Sequence, residues 1–174
     1  MRRYSFPARQ AHRGEFSDEE FAVLFIIEHP DMDKTIRLSS HPTHDLSFDP
    51  PMWATYSTWR TANPTVDPFV YLPMETNLPS DQEDAPASGN IIVVNSTPQI
   101  AKLLRSVIDQ ATLHFAMVRA ASPDLIEMQM SDLLVIDHDI TAGEVTIEFS
   151  REPTEFEMDP EGVMTKERFP GMHR

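Results

Sequence analysis

The chain has 174 residues, no cysteine and a net charge of −14, which predicts one domain with a substantial core and excludes disulfides, thiolate metal sites and cysteine nucleophiles. Four arginines and no acidic residue lie in residues 1–14, so residues 15–174 contain 28 acidic but only 10 basic side chains. Because an acidic surface repels phosphate groups, we expect no sequence-specific nucleic-acid binding by this body.

Residues 1–20 are predicted to form a basic N-terminal arm. The segment MRRYSFPARQAHRGEF lacks the apolar centre of a signal peptide, and the chain contains no run of about 18 apolar residues. We therefore expect a protein without a membrane-spanning segment that stays in the compartment where it is made. Short basic segments of this composition are typically solvated; contact with nucleic acid or an anionic membrane is the alternative interpretation.

Residues 21–150 are predicted to form one mainly antiparallel β-sandwich or barrel domain. FAVLFIIEH at 21–29 is a continuous apolar run and KTIRLSS at 34–40 alternates, so the two predict a hairpin across HPDMD. WATYSTWRT at 53–61 and DPFVYLPME at 67–75 are further strand candidates. Prolines in the latter indicate sheet edges or bends.

The second half of this domain predicts one helix among strands. After an exposed polar loop at 76–90, IIVVN at 91–95 predicts a buried strand. Pro98 and apolar residues at helical spacing then predict an amphipathic helix at about 97–109, covering an open end or edge of the sheet. A turn is predicted at Ser122-Pro123-Asp124. Further strand candidates are 112–120, two apolar runs within 124–140, and 141–150.

Histidines near the first hairpin could approach a divalent metal. His41, His44 and Asp45 lie in SHPTHD, with His29 one hairpin away, and imidazole and carboxylate are common ligands. The neighbouring prolines place these residues in a turn without a fixed helical face, so the sequence favours a polar turn and predicts no metal site.

The segment Asp137-His138-Asp139 contains a possible carboxylate–imidazole pair. It falls in a predicted strand or tight turn, where neighbouring side chains point to opposite faces, so we expect no catalysis there. The chain contains no glycine-rich phosphate loop, no G-x-S-x-G and no H-E-x-x-H. We expect no enzymatic activity and no cofactor.

The aromatic residues Trp53, Tyr56 and Trp59 could form a platform for a sugar or a base. A spacing of three cannot line one face of a flat strand, so a mixture of core and edge positions is favoured. Methionines could form an adaptable contact surface, although those in strands are expected to pack in the core.

Residues 151–174 are predicted to form an extended C-terminal arm, because isolated apolar residues among prolines and acids cannot build a core. Its last ten residues, TKERFPGMHR, combine Phe169 and Met172 with the turn-forming Pro170 and with Arg168. We predict that these four residues contact a neighbouring subunit or the next ring as a clasp. Docking back on the same domain is the alternative.

Several short motifs follow one another between residues 21 and 174. The segments are IIEHPDMDKTIRLSS, VYLPMETNLPSDQEDAPASGNIIVVNSTPQIAKLLRSV, LHFAMVRAASPDLIEMQMSDLLVIDHDITAGEVTIEFS and TKERFPGMHR. They contain a His-Pro-Asp turn, a Leu-Pro segment before an acidic loop, an apolar strand before a helix, Ala-Ser-x-Pro-Asp and Phe-Pro-Gly. In this order they are similar to a family of short tailed-bacteriophage proteins of formally unassigned function and to the N-terminal part of the phage minor tail protein L family.

The chain departs from this family pattern in two places. The second hairpin, with Asp-[Ile/Leu]-Thr-Ser and Tyr-x-Ala-[Phe/Tyr]-Pro, is represented only by HDLSF and the insert DPPMWATYSTWRTANPTVDPF. The cysteine-bearing C-terminal domain of the minor tail protein L family has no counterpart, so we expect no iron–sulfur cluster.

The resemblance implies a structural component of a phage distal tail or tail tip, in the baseplate hub region, that joins the tail tube or distal tail ring to the hub. It implies partners among the tube, distal tail and hub proteins, a homo-oligomeric ring of three or six subunits, and a place in the virion after assembly in the host cytoplasm. One alternative is a cytoplasmic tail-assembly factor absent from the mature virion. A third interpretation is a small hydrolase acting on the cell wall or on carbohydrate through paired acids, which the sequence does not locate.

Overall fold

Ten strands form one mixed sheet that is not closed into a barrel, which confirms the mainly-β prediction. The computed structural model describes residues 4–14, 18–32, 34–49, 51–79, 88–94, 111–141 and 143–151. The strands are β1 (Phe21–Glu28), β2 (Ile36–Ser39), β3 (His44–Phe48), β4 (Pro51–Thr55), β5 (Phe69–Tyr71), β6 (Met74–Asn77), β7 (Ser88–Val94), β8 (Thr112–Arg119), β9 (Ser122–Ile140) and β10 (Glu144–Ser150). Across the sheet the order is β3-β4-β5-β2-β1-β8-β9-β10-β7-β6, and every neighbouring pair is antiparallel except β2 with β5.

Strand β1 lies near the middle of this sheet and is buried on both faces. The predicted hairpin across HPDMD is confirmed, because β1 pairs with β2 in antiparallel register. Its other neighbour, β8, pairs with it over the full eight residues. A strand with paired backbone on both sides and apolar cover on both faces reads as a continuous apolar run, which is the pattern of 21–29.

The larger core lies on one face and draws on six strands of the sheet. In β1 it takes Val23, Phe25 and Ile27, while β10 contributes its own alternating side chains. The predicted alternation of β10 is confirmed, since Val145, Ile147 and Phe149 are buried and Glu148 is exposed. The other large side chains of this core include Ile36, Leu38, Ile91, Val93, Leu113, Phe115, Leu133 and Val135.

The smaller core lies on the opposite face of β1 and β8. It contains Ala22, Leu24 and Ile26 of β1 with Ala116 and Val118 of β8. Residues between β4 and β5 cover these side chains, so the predicted strand at 53–61 is wrong beyond Thr55. The covering residues are Trp59 and Ala62 of this connection, together with Phe69, the first residue of β5.

Four hydrogen bonds hold this cover on the sheet and explain why the strand stops at Thr55. Ser57 Oγ donates to the carbonyl of Pro123 (2.9 Å), and Trp59 Nε1 donates to Gln129 (3.3 Å). Asp124 accepts from both the backbone N–H and the hydroxyl of Thr58 (2.7 and 2.9 Å), which lowers the pKa of its carboxyl group. The insert that departs from the family pattern therefore covers the sheet.

Strand β9 corrects a second prediction. The expected turn at Ser122-Pro123-Asp124 is wrong, because these residues begin a continuous 19-residue strand and the turn is Ala120-Ala121. Strand β10 pairs only with the part of β9 from Leu134 to Ile140. One edge of the first half of β9 has no strand partner within the described residues, so Pro123 is tolerated there although it has no N–H to donate.

The N-terminal segment contains a helix, α1 (Phe6–Arg13), that sequence analysis did not predict. Ser5 caps it by accepting the N–H of Ala8, Pro7 lies in its first turn, and Gly14 follows its last residue. Ala8 is fully buried, and His12 stacks on the Phe21 ring (5.1 Å between centroids). This part of the predicted arm is therefore attached to the body.

A buried carboxylate fixes the start of α1. Glu127 accepts hydrogen bonds from the Ser5 backbone N–H and hydroxyl, both at 2.6 Å, and its side chain is fully buried. The Arg119 guanidinium lies 3.3 Å from the same carboxylate and also binds Glu19. Charge pairing and hydrogen bonds together offset the desolvation of a buried acid. The predicted helix at 97–109 and residues 152–174 of the predicted C-terminal arm lie outside the described residues.

We expect Gly89→Ala to destabilise the fold by about 1–3 kcal/mol, the usual cost of overpacking. A β-carbon at this position of β7 would lie 2.5 Å from the Asn77 carbonyl oxygen and 2.7 Å from the Phe149 ring. Urea unfolding measures the loss. Gly143→Ala is the matched control, because its β-carbon would meet no atom within 4 Å. Equal stability of the two variants would contradict this packing.

We expect Ser5→Ala to loosen α1, because the variant loses both the cap to Ala8 and the hydroxyl bond to Glu127. Caps of this kind contribute about 0.5–2 kcal/mol. Tryptic cleavage after Arg13 under native conditions should become faster in the variant. Ser47→Ala in β3 is the control. An unchanged cleavage rate would show that Ser5 does not hold the helix.

Candidate docking surface

The β3–β4 hairpin forms one free edge of the sheet. Strand β3 pairs with β4 alone, so the backbone groups on its outer side have no strand partner within the described residues. Natural proteins usually protect such edges with lysine, proline or an inward-pointing charge, because an open edge can pair with another chain. The five residues of β3, HDLSF, contain neither lysine nor proline.

The hairpin also exposes large apolar side chains. Phe48 is 89% exposed, Trp53 40% and Leu46 39%. Trp53 stands edge-on to Tyr71 of β5, with 6.3 Å between ring centroids. We call Leu46, Phe48 and Trp53 with the free edge of β3 the hairpin surface. Several large exposed apolar groups on one hairpin make it a candidate interaction site.

A hydroxyl network fixes the base of the hairpin. Thr55 Oγ1 lies 2.8 Å from Ser39 Oγ and 2.9 Å from Thr43 Oγ1, and both Ser39 and Thr55 donate to the His41 carbonyl at 3.0 Å. Ser39 and Thr55 are fully buried. Since a satisfied buried network rigidifies its surroundings, β4 presents the hairpin surface from a defined base.

The hairpin is acidic as well as apolar. Asp45 lies within β3 and Asp49 follows it directly, and residues 43–54 contain no lysine or arginine. His44 stacks on Tyr56, with 5.0 Å between ring centroids. An occupant of the hairpin surface should therefore combine apolar side chains with positive charge.

The histidines that could approach a metal have separate contacts. His29 Nδ1 accepts the backbone N–H of Asp31 at 3.1 Å, and His41 Nε2 lies 3.0 Å from a Glu20 carboxylate oxygen. The ring of His44 is stacked on tyrosine instead. Among the residues that the structure describes, no three histidines or acids are placed to hold one metal ion.

The residues Asp137, His138 and Asp139 lie exposed near the end of β9. The backbone N–H of His138 donates to the Asp137 carboxylate (2.8 Å), so the contact does not involve the imidazole. Across the strand pair, Asp137 faces Glu148 and Asp139 faces Thr146. The segment belongs to an acidic sheet face.

Sequence reasoning missed His114, which is the most buried histidine among the residues that the structure describes. Its Nδ1 accepts the backbone N–H of Asp132 at 2.9 Å. Asp132 has φ of 59° at a bulge in the β8–β9 ladder, where Leu113 pairs with Leu133 but Phe115 pairs with Met130. Such a bulge leaves an N–H outside the ladder, and the imidazole accepts it. Burial, followed by the positive charge of Arg60, lowers the pKa of His114.

A cavity of about 510 Å³ opens beside this histidine at the end of β1. Glu28 lines it, and its carboxylate is 3.7 Å from His114 Nε2. The other described lining residues are His29, Pro30, Met32, Thr35 and Thr112. Nδ1 of both histidines accepts a backbone N–H, so His29 stabilises the turn after β1 and His114 stabilises the bulge in β9.

The predicted mixture of roles for the aromatic residues is confirmed by their burial. Trp59 is buried in the smaller core, Tyr56 is half-buried, and Trp53 belongs to the hairpin surface. The sequence pattern that indicates this surface is HDLSF, in which polar and apolar residues alternate, followed after Asp49 by two prolines. Sequence analysis considered His44 and Asp45 of this stretch as metal ligands and otherwise interpreted it as a departure from a family pattern.

Comparisons with known proteins add no relative: no protein-family model and no curated protein matches this chain. Within the described residues no helix has the length and apolar character needed to cross a membrane. The predicted clasp residues Arg168, Phe169, Pro170 and Met172 lie outside the described residues. Their contacts remain a prediction.

The stability of the fold should fall as the pH is lowered below about 6.5, the ordinary pKa of histidine. His114 has a lowered pKa in the folded state, so the unfolded chain takes up the proton first. The contribution of His114 to the free energy of unfolding is therefore fully present above the histidine pKa of the unfolded chain. It is lost as the pH falls towards the lower pKa of the folded state. Urea midpoints between pH 8 and pH 5 measure it.

His114→Asn should remove this part of the pH dependence, because an amide oxygen can replace Nδ1 as the acceptor for Asp132 without binding a proton in this range. Glu28, Asp132 and Arg60 remain around the site in both proteins. The exposed His138→Asn is the matched control. Equal pH slopes for wild type and His114→Asn would contradict the assignment.

Proposed function

We propose that this protein is a structural component of a bacteriophage distal tail or tail tip that joins the tail tube or distal tail ring to the hub. The observation that carries the proposal is the order of short motifs from residue 21 to residue 174, which resembles the order in the phage tail proteins named above. A mainly-β body with an apolar, unpaired edge suits such a role, because subunits of an assembly bind neighbours through faces that a monomer leaves open.

The polar groups that could do chemistry have structural contacts, which supports a role without catalysis. Glu127 holds the first turn of α1, and Asp124 holds the cover of the smaller core. His114 accepts a bulge N–H. Each group is used to fix one element of the fold to another, and we propose that the protein is no enzyme and needs no cofactor.

The charge of the protein supports protein partners. An acidic body avoids nucleic acid, while the acidic and apolar hairpin surface favours apolar segments that carry lysine or arginine. We propose other tail proteins, namely tube, distal tail and hub proteins, as partners. A ring of three or six copies assembled in the host cytoplasm and retained in the virion completes the proposal.

Mass spectrometry of purified phage particles tests this role. A structural component should be present at a fixed ratio to the tail tube protein, in a small multiple of three copies per tail. A cytoplasmic assembly factor would be abundant in lysates but absent from gradient-purified particles. That outcome would replace the proposal with the alternative function.

A further inference from the structure

We propose that the hairpin surface binds residues 165–174 of a second copy of this chain, so that the C-terminal segment of one copy adds a strand to β3 of the next. This inference deepens the proposed assembly role and rests on it for its biological setting. The contact is head-to-tail, because the donor and the receptor are different parts of the chain. Such contacts build rings or filaments.

Backbone pairing is the first reason for this assignment. At alternate residues of the five-residue strand β3, the outer edge offers backbone N–H and C=O groups that have no strand partner within the described residues. TKERF, residues 165–169, is an extended-compatible stretch of the same length that ends at Pro170, which lacks the N–H needed to continue a ladder. Strand addition of this kind gains affinity from main-chain hydrogen bonds and specificity from side chains.

Apolar side chains on both partners are the second reason. Phe48 is 89% exposed, and Leu46 and Trp53 are exposed on the same hairpin. The segment 165–174 carries Phe169 and Met172 close together. Aromatic and methionine side chains are enriched in the buried centres of protein interfaces, and the pairing would remove Phe48 from water.

Charge favours residues 165–174, rather than the β3 edge of a second copy, as the occupant of the hairpin surface. Two β3 strands facing each other would bring together two copies each of Asp45 and Asp49. The segment 165–174 carries Lys166, Arg168 and Arg174 against a single acid, Glu167. Like charges across an interface select against a partner, whereas opposite charges steer it into place.

The reach of the chain permits docking on a neighbour. The described part ends at Arg151, after β10, and seven strand spacings separate β10 from β3 in the sheet order. Thirteen residues, 152–164, precede the donor segment and can span up to about 45 Å. Because this length also permits docking within one copy, the experiment must separate the two.

Charge-reversal variants of the full-length protein distinguish docking on a neighbouring copy from docking within one copy. The receptor variant is Asp45→Lys with Asp49→Lys, and the donor variant is Lys166→Glu with Arg168→Glu. Sedimentation velocity over a concentration series measures self-association. We expect wild type to associate, and each variant alone to associate at least tenfold more weakly, which is about 1.4 kcal/mol per contact.

An equimolar mixture of the two variants should restore association. The native donor of the first variant meets the native receptor of the second, and the reversed donor meets the reversed receptor. Docking within one copy predicts monomers in the mixture and in wild type. That outcome overturns the proposal, as does a wild-type protein that is monomeric at high concentration.

Substitution of the apolar contact gives a second measurement. Phe48→Ser should weaken wild-type association at least tenfold without changing the thermal melt, because its ring is exposed in the single chain. Ile136→Ser is the matched control, since Ile136 is 57% exposed on β9 and distant from β3 in the sheet order. Equal association of the two variants would overturn the assignment.

These results separate the inference from the proposed function. A protein that self-associates through the hairpin surface but is absent from purified particles keeps the inference and loses the tail role. A monomer that is incorporated into particles, and whose Phe48→Ser variant is not, has a different protein on this surface. The self-docking inference is then wrong while the tail role stands.

Discussion

The double burial of strand β1 is the constraint on which the rest of the structure depends. Its backbone is paired with a strand on each side, and both of its faces carry apolar side chains. Neither face can therefore be left in water without exposing a row of these side chains. Val23, Phe25 and Ile27 require one cover, and Ala22, Leu24 and Ile26 require another. The insert between β4 and β5 meets the second requirement. A stretch that looked like a departure from a family pattern is therefore part of the core.

Strong periodicity made several elements predictable from sequence. The continuous run of β1 and the alternation of β10 depend on burial alone, which residue type reports directly. The elements that sequence reasoning missed depend on particular partners instead. Trp59 leaves a strand pattern because Ser57 and Thr58 bind β9, and Pro123 stays within a strand because its outer edge is free. Local composition reveals neither the contacts of Ser57 and Thr58 with β9 nor the free edge at Pro123.

The buried polar groups of Glu127 and His114 share one role in this fold, which is to accept hydrogen bonds from backbone and side-chain donors of other elements. A search of the sequence for catalytic patterns does not reveal such structural contacts. Glu127 fixes a helix that lies more than a hundred residues earlier in the chain, and His114 completes a bulge. Each satisfies donors that the sheet or helix leaves over. Helix α1 itself could have been predicted, since Ser5, Pro7 and Gly14 are the standard start and stop signals. The basic composition of the segment instead favoured the prediction of a solvated arm.

The asymmetry between well-covered and open parts of the sheet leads to an argument about assembly. The hydroxyl network around Thr55 fixes the base of the β3–β4 hairpin, while the tip exposes Phe48 and Trp53. The Phe48 ring is 89% exposed and gains almost no burial within the single chain, and an open strand edge can pair with another chain. A fold that covers both faces of β1 but leaves this edge open is best explained if a basic, apolar segment occupies the edge in the assembled state. The acidic residues beside it then restrict which segment can bind.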